Sequence, residues 1–500
     1  MNFRDKLVLL IVLLLPAFSQ AQTDAVSGAS LPADVRERLK AELKAELLEE
    51  LRGEWTEAQA SETSAGKEVR KTEKAARDTS RKKKTETVSG PRLQVGGYGE
   101  AVMTRNFFSD NYLRYKNPEL YKNEQHGRFD LPHVVVWLGY NFGKGWSMGS
   151  EIEFEHGGTE SAVEIEEEEG GEYESEIERG GEVALEQFWI QKSFSPALNI
   201  RAGHIIVPVG ATNAHHMPTE YFGVYRPEGE NTIIPCTWHE TGISFWGETK
   251  GWRYEVMFLA GLDADRFNSK GWIHDGAGSP YEFKIGTSYA GAFRIDNTSV
   301  PGLRLSLSGY VGNSFNNTLY PHSQSRYKKV RGTVGIGAFD FAYNNHHVII
   351  RGNVTYGHLS DSRMITAFNG SMSGSSVSAR QPVASDALAT GCEIGYDFFS
   401  LSSNLRGMGQ KFFLFGRYDY YDSMLKTAEG VARKTWCGRQ RISAGINYMP
   451  IKNIAIKAEY AIGILNPYTV TGANGASETR RYNNEPSVSI GITYSGLFEK

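Results

Sequence analysis

Two adjacent histidine pairs, His215-His216 and His346-His347, are the side chains best suited to hold a metal or move a proton. In an extended segment neighbouring side chains point to opposite faces, so each pair reads as a loop or strand-end pair and not as two ligands of one ion. No G-x-S-x-G, H-E-x-x-H, P-loop or C-x-x-C pattern occurs, which removes the usual signatures of a hydrolase, a zinc protease, a nucleotide binder or a dithiol. The three cysteines, Cys236, Cys392 and Cys437, lie too far apart for a metal motif and are too few for a disulfide framework. No catalytic residue, metal ligand or cofactor is assigned. What remains is charge placed at alternate positions. Arg201, Lys284, Arg294, Arg304, Arg351, Arg417, Arg441 and Lys457 stand against Glu151, Glu153, Glu155, Glu255, Glu393, Asp397, Asp419 and Glu459. Such a set lines a watery passage.

The elements that would carry these charges alternate with period two from Pro91 onward. In 487–495, Val488, Ile490, Ile492 and Tyr494 alternate with Ser489, Gly491 and Thr493, and in 303–308 Leu303, Leu305 and Leu307 alternate with Arg304, Ser306 and Ser308. The pattern predicts sixteen strands, at 92–103, 131–141, 146–156, 183–194, 198–206, 238–248, 252–262, 282–294, 303–312, 331–342, 346–357, 387–398, 410–422, 439–449, 453–464 and 487–498. Most are ten to thirteen residues long, enough to cross a bilayer at a tilt of roughly 45°. Connections after even-numbered strands are short and those after odd-numbered strands are long. The expected fold class is therefore all-β: a sixteen-stranded antiparallel transmembrane β-barrel with its long loops outside. Trp146, Trp189, Trp246, Trp252, Tyr418 and Tyr420, near strand ends, are expected in interfacial girdles. Sixteen strands leave a lumen wide enough for water and small solutes. An Arg or Lys facing lipid at mid-depth would cost ~2–4 kcal/mol, so the alternating charges belong inside.

Composition agrees with an exported all-β protein. The 500 residues include 54 Gly, 25 Tyr and 25 Phe against 17 Pro, and the formal charge of −4 argues against nucleic-acid binding. Mean hydropathy is −0.40, so no helical membrane bundle is encoded. Arg4 and Lys6, then Leu7–Leu15, then Ser19-Gln20-Ala21 predict a signal peptide over 1–21. Within 22–55, Val35, Leu39, Leu43, Leu47 and Leu51 recur every four residues, which predicts a periplasmic amphipathic helix or short coiled coil that precedes the barrel. Residues 56–90 lose nearly all large apolar side chains, and Lys67–Lys84 carries nine Lys/Arg against three acids. This predicts a disordered basic linker, with peptidoglycan carboxylates or anionic headgroups as alternative contacts. The barrel is assigned to 91–500.

One long connection differs from the rest. Val207–Thr237 contains Tyr221, Phe222 and Tyr225 and four prolines, 208, 218, 227 and 235. A stiff amphipathic loop of this size suits folding back into the lumen to set a constriction. The stretch Gly203-His204-Ile205-Ile206-Val207-Pro208-Val209-Gly210, then Arg226-Pro227-Glu228-Gly229, then Pro235 and Trp238-His239-Glu240-Thr241-Gly242, resembles the phosphate-selective porin O and P family in its Bacteroidetes-like form. The likeness covers roughly residues 91–500. It implies a usually homotrimeric outer-membrane channel whose third long loop narrows the pore. The candidate constriction residues are Arg226, His215, His216, Glu220, Tyr225, Glu228 and Glu230, with Arg201, Lys284, Arg304, Arg351, Arg417, Arg441 and Lys457 lining the pore.

Phosphate-selective members depend on a dense Arg/Lys lining, whereas Val207–Thr237 offers Arg226 alone against Glu220, Glu228 and Glu230. Residues 1–90 hold 16 basic and 15 acidic groups, so 91–500 keep 38 and 43. The second long loop, Gly157–Glu182, has eleven Glu and one Arg. Without it the barrel is net positive. The functional expectation is a porin passing small hydrophilic solutes with weak to moderate anion preference, phosphate among them. The alternative is a barrel that merely anchors an adhesin or envelope tether.

Overall fold

The computed structural model describes residues 92–157, 160–167, 173–180, 183–278, 285–317, 327–372, 378, 380–471 and 477–498. The expected signal peptide, helix and linker, and Lys284, lie outside the described residues.

Sixteen strands form the wall: β1 (Arg92–Asn106), β2 (His133–Gly143), β3 (Trp146–Glu155), β4 (Val183–Ser195), β5 (Leu198–Ile206), β6 (His239–Thr249), β7 (Trp252–Ala260), β8 (Tyr289–Asn297), β9 (Leu303–Asn313), β10 (Thr333–Asn345), β11 (Val348–Leu359), β12 (Asp386–Asp397), β13 (Lys411–Lys426), β14 (Gly438–Ile451), β15 (Ile454–Leu465) and β16 (Glu485–Phe498). Each pairs antiparallel with its sequence neighbour. The last closes on the first, from Val95↔Phe498 to Asn106↔Ser487. Closure leaves no unpaired wall edge, the condition for spanning lipid with strands. The eighth strand starts later than its sequence pattern suggests. Asn297 still pairs with Leu305, so the turn after it is Thr298–Gly302 and the strand runs to the turn.

Three turns at the short-connection end have two central residues with positive φ: Lys144-Gly145, Lys250-Gly251 and His346-His347. Positive φ at both positions matches the twist of the flanking strands. The second histidine pair is thus a hairpin turn.

The alternation resolves into two surfaces. On β16, Val488, Ile490, Ile492 and Tyr494 are exposed outside, while Ser487, Ser489, Thr493 and Ser495 are buried inside. The same outward exposure recurs at Phe258, Val256 and Leu414, and a continuous apolar belt of this extent needs lipid against it. At the turn end, the Lys192 ammonium lies 5.3 Å from the Trp146 ring and 5.8 Å from that of Phe194, a headgroup-level arrangement. Trp252, Tyr418 and Tyr420 also have outward parity, the two tyrosines in the interior of their strand and not at its turn end. Trp189 and Trp246 do not: they share the inward parity of Gln191 and Ser244, and Arg201 lies over both rings.

The long loops do not all project outward. Phe267, Trp272 and Ile273, Phe315 and Tyr327, and Ile365 and Phe368 come from three separate loops and join Val209, Ile233 and Ile234 in one buried core. Trp272 is wholly buried where Gly357 leaves room, since a Cβ there would meet its ring at 2.1 Å. Apolar residues clustered in these loops make burial against each other favourable. The Glu-rich loop instead forms its own hairpin, Glu160–Glu167 with Tyr173–Gly180.

Replacing Ile490, which is outward near the middle of β16, by Arg is expected to cost ~2–4 kcal/mol in reversible unfolding from lipid vesicles. A cost near zero would place that face in water.

Candidate functional site

Val207–Thr237 enters the lumen from the end of β5 and touches the wall on several sides. Its backbone carries polar groups into the barrel, and each needs a partner. Near the loop's start, the Gly210 N–H donates to Ser308 Oγ at 3.0 Å and its carbonyl accepts from Arg294 Nη1 at 2.9 Å. Asn213 ties the two ends together, donating to the Val209 and Pro235 carbonyls and accepting from the Trp238 N–H at 2.7 Å. At the crossing, Lys457 donates to the carbonyls of Pro218, Tyr221 and Gly223, and Glu459 accepts from the Val224 N–H at 3.0 Å. Phe222 lies 5.2 Å from the Phe413 ring and 5.5 Å from that of Phe415. Gly395 makes the space, for a Cβ there would fall 2.3 Å from the Phe222 ring.

These anchors assign several predicted residues. Lys457 is fully buried beneath the loop and holds it, so it does not line the passage. Arg226 is buried, donates to Tyr98 Oη at 3.3 Å and approaches Glu153 Oε1 at 4.0 Å. It reaches the β1–β3 wall with one edge on the outer cavity, and is not a free cation in the opening. Glu230 is buried as well, accepting from the Thr212 N–H at 2.7 Å and from the Thr355 hydroxyl. A short helix, Glu228–Ile233, turns it away from the opening.

Three cavities run along the lumen. The outermost, about 380 Å³, is bounded by Tyr225, Glu228, Arg128, Arg439 and Arg441 among others. The next, about 310 Å³, is bounded by Glu220, His215, Arg304 and Arg351. The innermost, about 710 Å³ and open at the turn end, takes in His215, His216, Arg201, Arg253, Arg294 and Arg304. Outer and middle cavities share Tyr221, Pro227, Glu393 and Arg417, while middle and inner share His215 and Arg304. Tyr221 and Pro227 of the loop and Arg417 and Glu393 of the wall therefore border both the outer and the middle cavity.

Strand register builds the wall of this passage. Arg351, Glu393 and Arg417 are directly paired across β11, β12 and β13, and Asp419 is paired with Arg441 across β13 and β14. Arg417 bonds Glu393 at 3.1 Å and also Asp419, and Arg441 bonds Glu228 at 3.0 Å. Nearer the turn end, Arg304 reaches Asp340 at 3.1 Å and donates to His215. Glu228 and Glu220 of the loop both ionise more readily than an ordinary carboxyl. Desolvation opposes ionisation of Glu228, but Arg441 and Arg439 outweigh it and hold the carboxyl below its usual range. Burial likewise opposes ionisation of Glu220, and the His215 ring bonded to it more than compensates.

Sequence reasoning missed Arg253, Arg439 and Asp340. Arg253 and Arg439 have the parity of Glu255 and Arg441, and Asp340 lies directly across from Ser306 on the polar face of its neighbour, so parity is the signal that finds them.

No family model matches the chain. A protein of Aquifex aeolicus (strain VF5) described as uncharacterized is 24% identical over 376 residues, covering 74% of this chain and 75% of that protein. Among solved structures, Salmonella typhi OmpF in complex with daunomycin is 12% identical, with 82% of this chain and 98% of that one covered at a TM-score of 0.45. OmpT of Vibrio cholerae is 10% identical, with 81% and 98% covered at 0.41. The fold rests on the closed strand pairing and not on these likenesses.

Glu230→Leu leaves the Thr212 N–H and the Thr355 hydroxyl without their acceptor. It is expected to lower stability by about 1–3 kcal/mol in urea unfolding while leaving ion selectivity as it was. A selectivity change without a stability loss would put Glu230 in the passage.

Proposed function

We propose that this chain is an outer-membrane porin that lets small hydrophilic solutes diffuse passively, with a weak to moderate preference for anions, phosphate among the candidates. Outer-membrane lipid around the belt, solutes in the lumen and two further copies in a homotrimer are the partners this reading takes. The turn end then faces the periplasm, where the N-terminal helix and basic linker would meet the cell wall.

One observation carries the anion preference. At three points along the wall an arginine is exposed and its carboxylate partner is hidden beneath it. Side-chain exposure is 26% for Arg351 against 1% for Glu393, 18% for Arg304 against 1% for Asp340, and 32% for Arg253 against 4% for Glu255. Formal charge along the wall nearly cancels, but a solute meets the guanidinium groups first. Their planar donors suit oxyanions, which need both charge and hydrogen bonds as water is stripped. Glu220 and Glu228 oppose this from the loop side and keep the preference modest.

The test is the reversal potential of the folded protein in a planar bilayer under a KCl gradient, with phosphate added as competitor. The wild type is expected to favour chloride over potassium, and Arg351→Gln with Arg441→Gln together to reduce that preference. Phosphate is expected to lower the chloride current. A cation-preferring wild type would give selectivity to the loop carboxylates, and a closed barrel without conductance would favour an anchoring role.

A further inference from the structure

A second polar cluster lies on the inner wall of β1–β4, on the far side of Arg226 from the arginine row. His133 opens β2 and pairs directly with Glu155 at the end of β3, and the next inward pair is Val135 with Glu153. The three side chains therefore share one patch, and a donor atom from each lies within 4.8 Å of the others.

Independent features of this patch point to a bound cation. Glu153 is 3% exposed, and its Oε1 accepts no hydrogen bond; the nearest cation, Arg226 Nη2, is 4.0 Å away. Neither ring nitrogen of His133 has a hydrogen-bond partner. Its Nδ1 instead lies 3.6 Å from Glu100 Oε1, beyond a hydrogen bond. A register shift between Glu151 and Ile152 turns both Glu186 and Gln187 of β4 inward, as bulges do where a wall must re-aim a side chain. Glu186 is fully buried against Glu153, and neither of its oxygens meets a donor. Carboxylates gathered this closely out of water need a proton or a cation between them. Arg226 is one charge against Glu153 and Glu186, and Lys457, which also acts on Glu100, is committed to the loop carbonyls.

We propose that His133, Glu153 and Glu155 bind a divalent transition-metal ion of the Zn²⁺, Mn²⁺ or Fe²⁺ type. One imidazole with two carboxylates suits these ions. All-oxygen sites suit Ca²⁺ and Mg²⁺, and thiolates, which select softer ions, are missing from the set. Glu186, buried against Glu153, adds negative charge beside the set and is not one of its ligands. His156, next to Glu155, is engaged with Asp130 at 2.7 Å and is outside the set. The ion would offset the acidic excess beside the root of Arg226, on the wall against which the lumenal loop rests. Binding does not depend on whether the barrel conducts.

The test is calorimetric titration of Zn²⁺ into the full folded chain in detergent after chelator treatment. The wild type is expected to bind one Zn²⁺ tightly, and His133→Ala and Glu155→Gln each to weaken that binding more than about tenfold. Circular dichroism checks that both variants keep the barrel. Glu155 sits at the partly exposed end of its strand, so Glu155→Gln decides the matter if His133→Ala fails to refold. Absence of tight binding, or binding unchanged in the folded variants, would overturn the proposal. The second result would assign the ion to another group, such as the Glu-rich hairpin.

Discussion

The buried ammonium of Lys457, bonded to three carbonyls of the lumenal loop, is the contact on which the interior depends. A loop threaded through a barrel brings unpaired peptide groups into a space narrow enough to exclude much of their water. Leaving them unsatisfied costs about 1–3 kcal/mol each. The wall meets that need with charged side chains, Lys457 for carbonyls and Glu459 for an N–H, because a charged group bonds a peptide more strongly than a neutral one. The loop is thereby held across the lumen, and the opening is what remains between it and the opposite wall.

This division of labour leaves several wall arginines more exposed than the acids beneath them, while Glu220 and Glu228 face them from the loop. Carboxylates at Glu393, Asp340 and Glu255 sit low against the strands, where arginines reach over them. The long guanidinium side chains extend into the cavities while the shorter acids stay at the wall. The other half of the loop end is filled differently. There, aromatic and branched residues from several loops pack into a buried core around Trp272 and Phe267, which leaves the open space on the side lined by Arg351, Arg417 and Arg441.

Period-two patterning was enough to find all sixteen strands and the face of nearly every inward charge, because the pleat fixes parity. Parity says nothing about depth. Arg351 and Lys457 are equally inward by sequence, yet one borders the passage and the other is sealed beneath the loop. Arg226 and Glu230 had the right loop and the wrong exposure, since a short helix and a wall tyrosine decide where they point. Glu186 escaped notice because a one-residue bulge breaks the alternation that made its neighbours legible. The packing of Phe267, Phe315 and Phe368 from three loops is non-local, and no window of sequence displays it.

Single-channel conductance of Lys457→Met, compared with the wild type in the same bilayer and salt, tests this account most directly. Methionine keeps the bulk of the side chain and removes the donors that hold Pro218, Tyr221 and Gly223. The account predicts a larger and noisier conductance with weaker discrimination between ions, as the loop leaves the wall. A folded variant with wild-type conductance and selectivity would contradict it, because the loop would then not be what sets the opening.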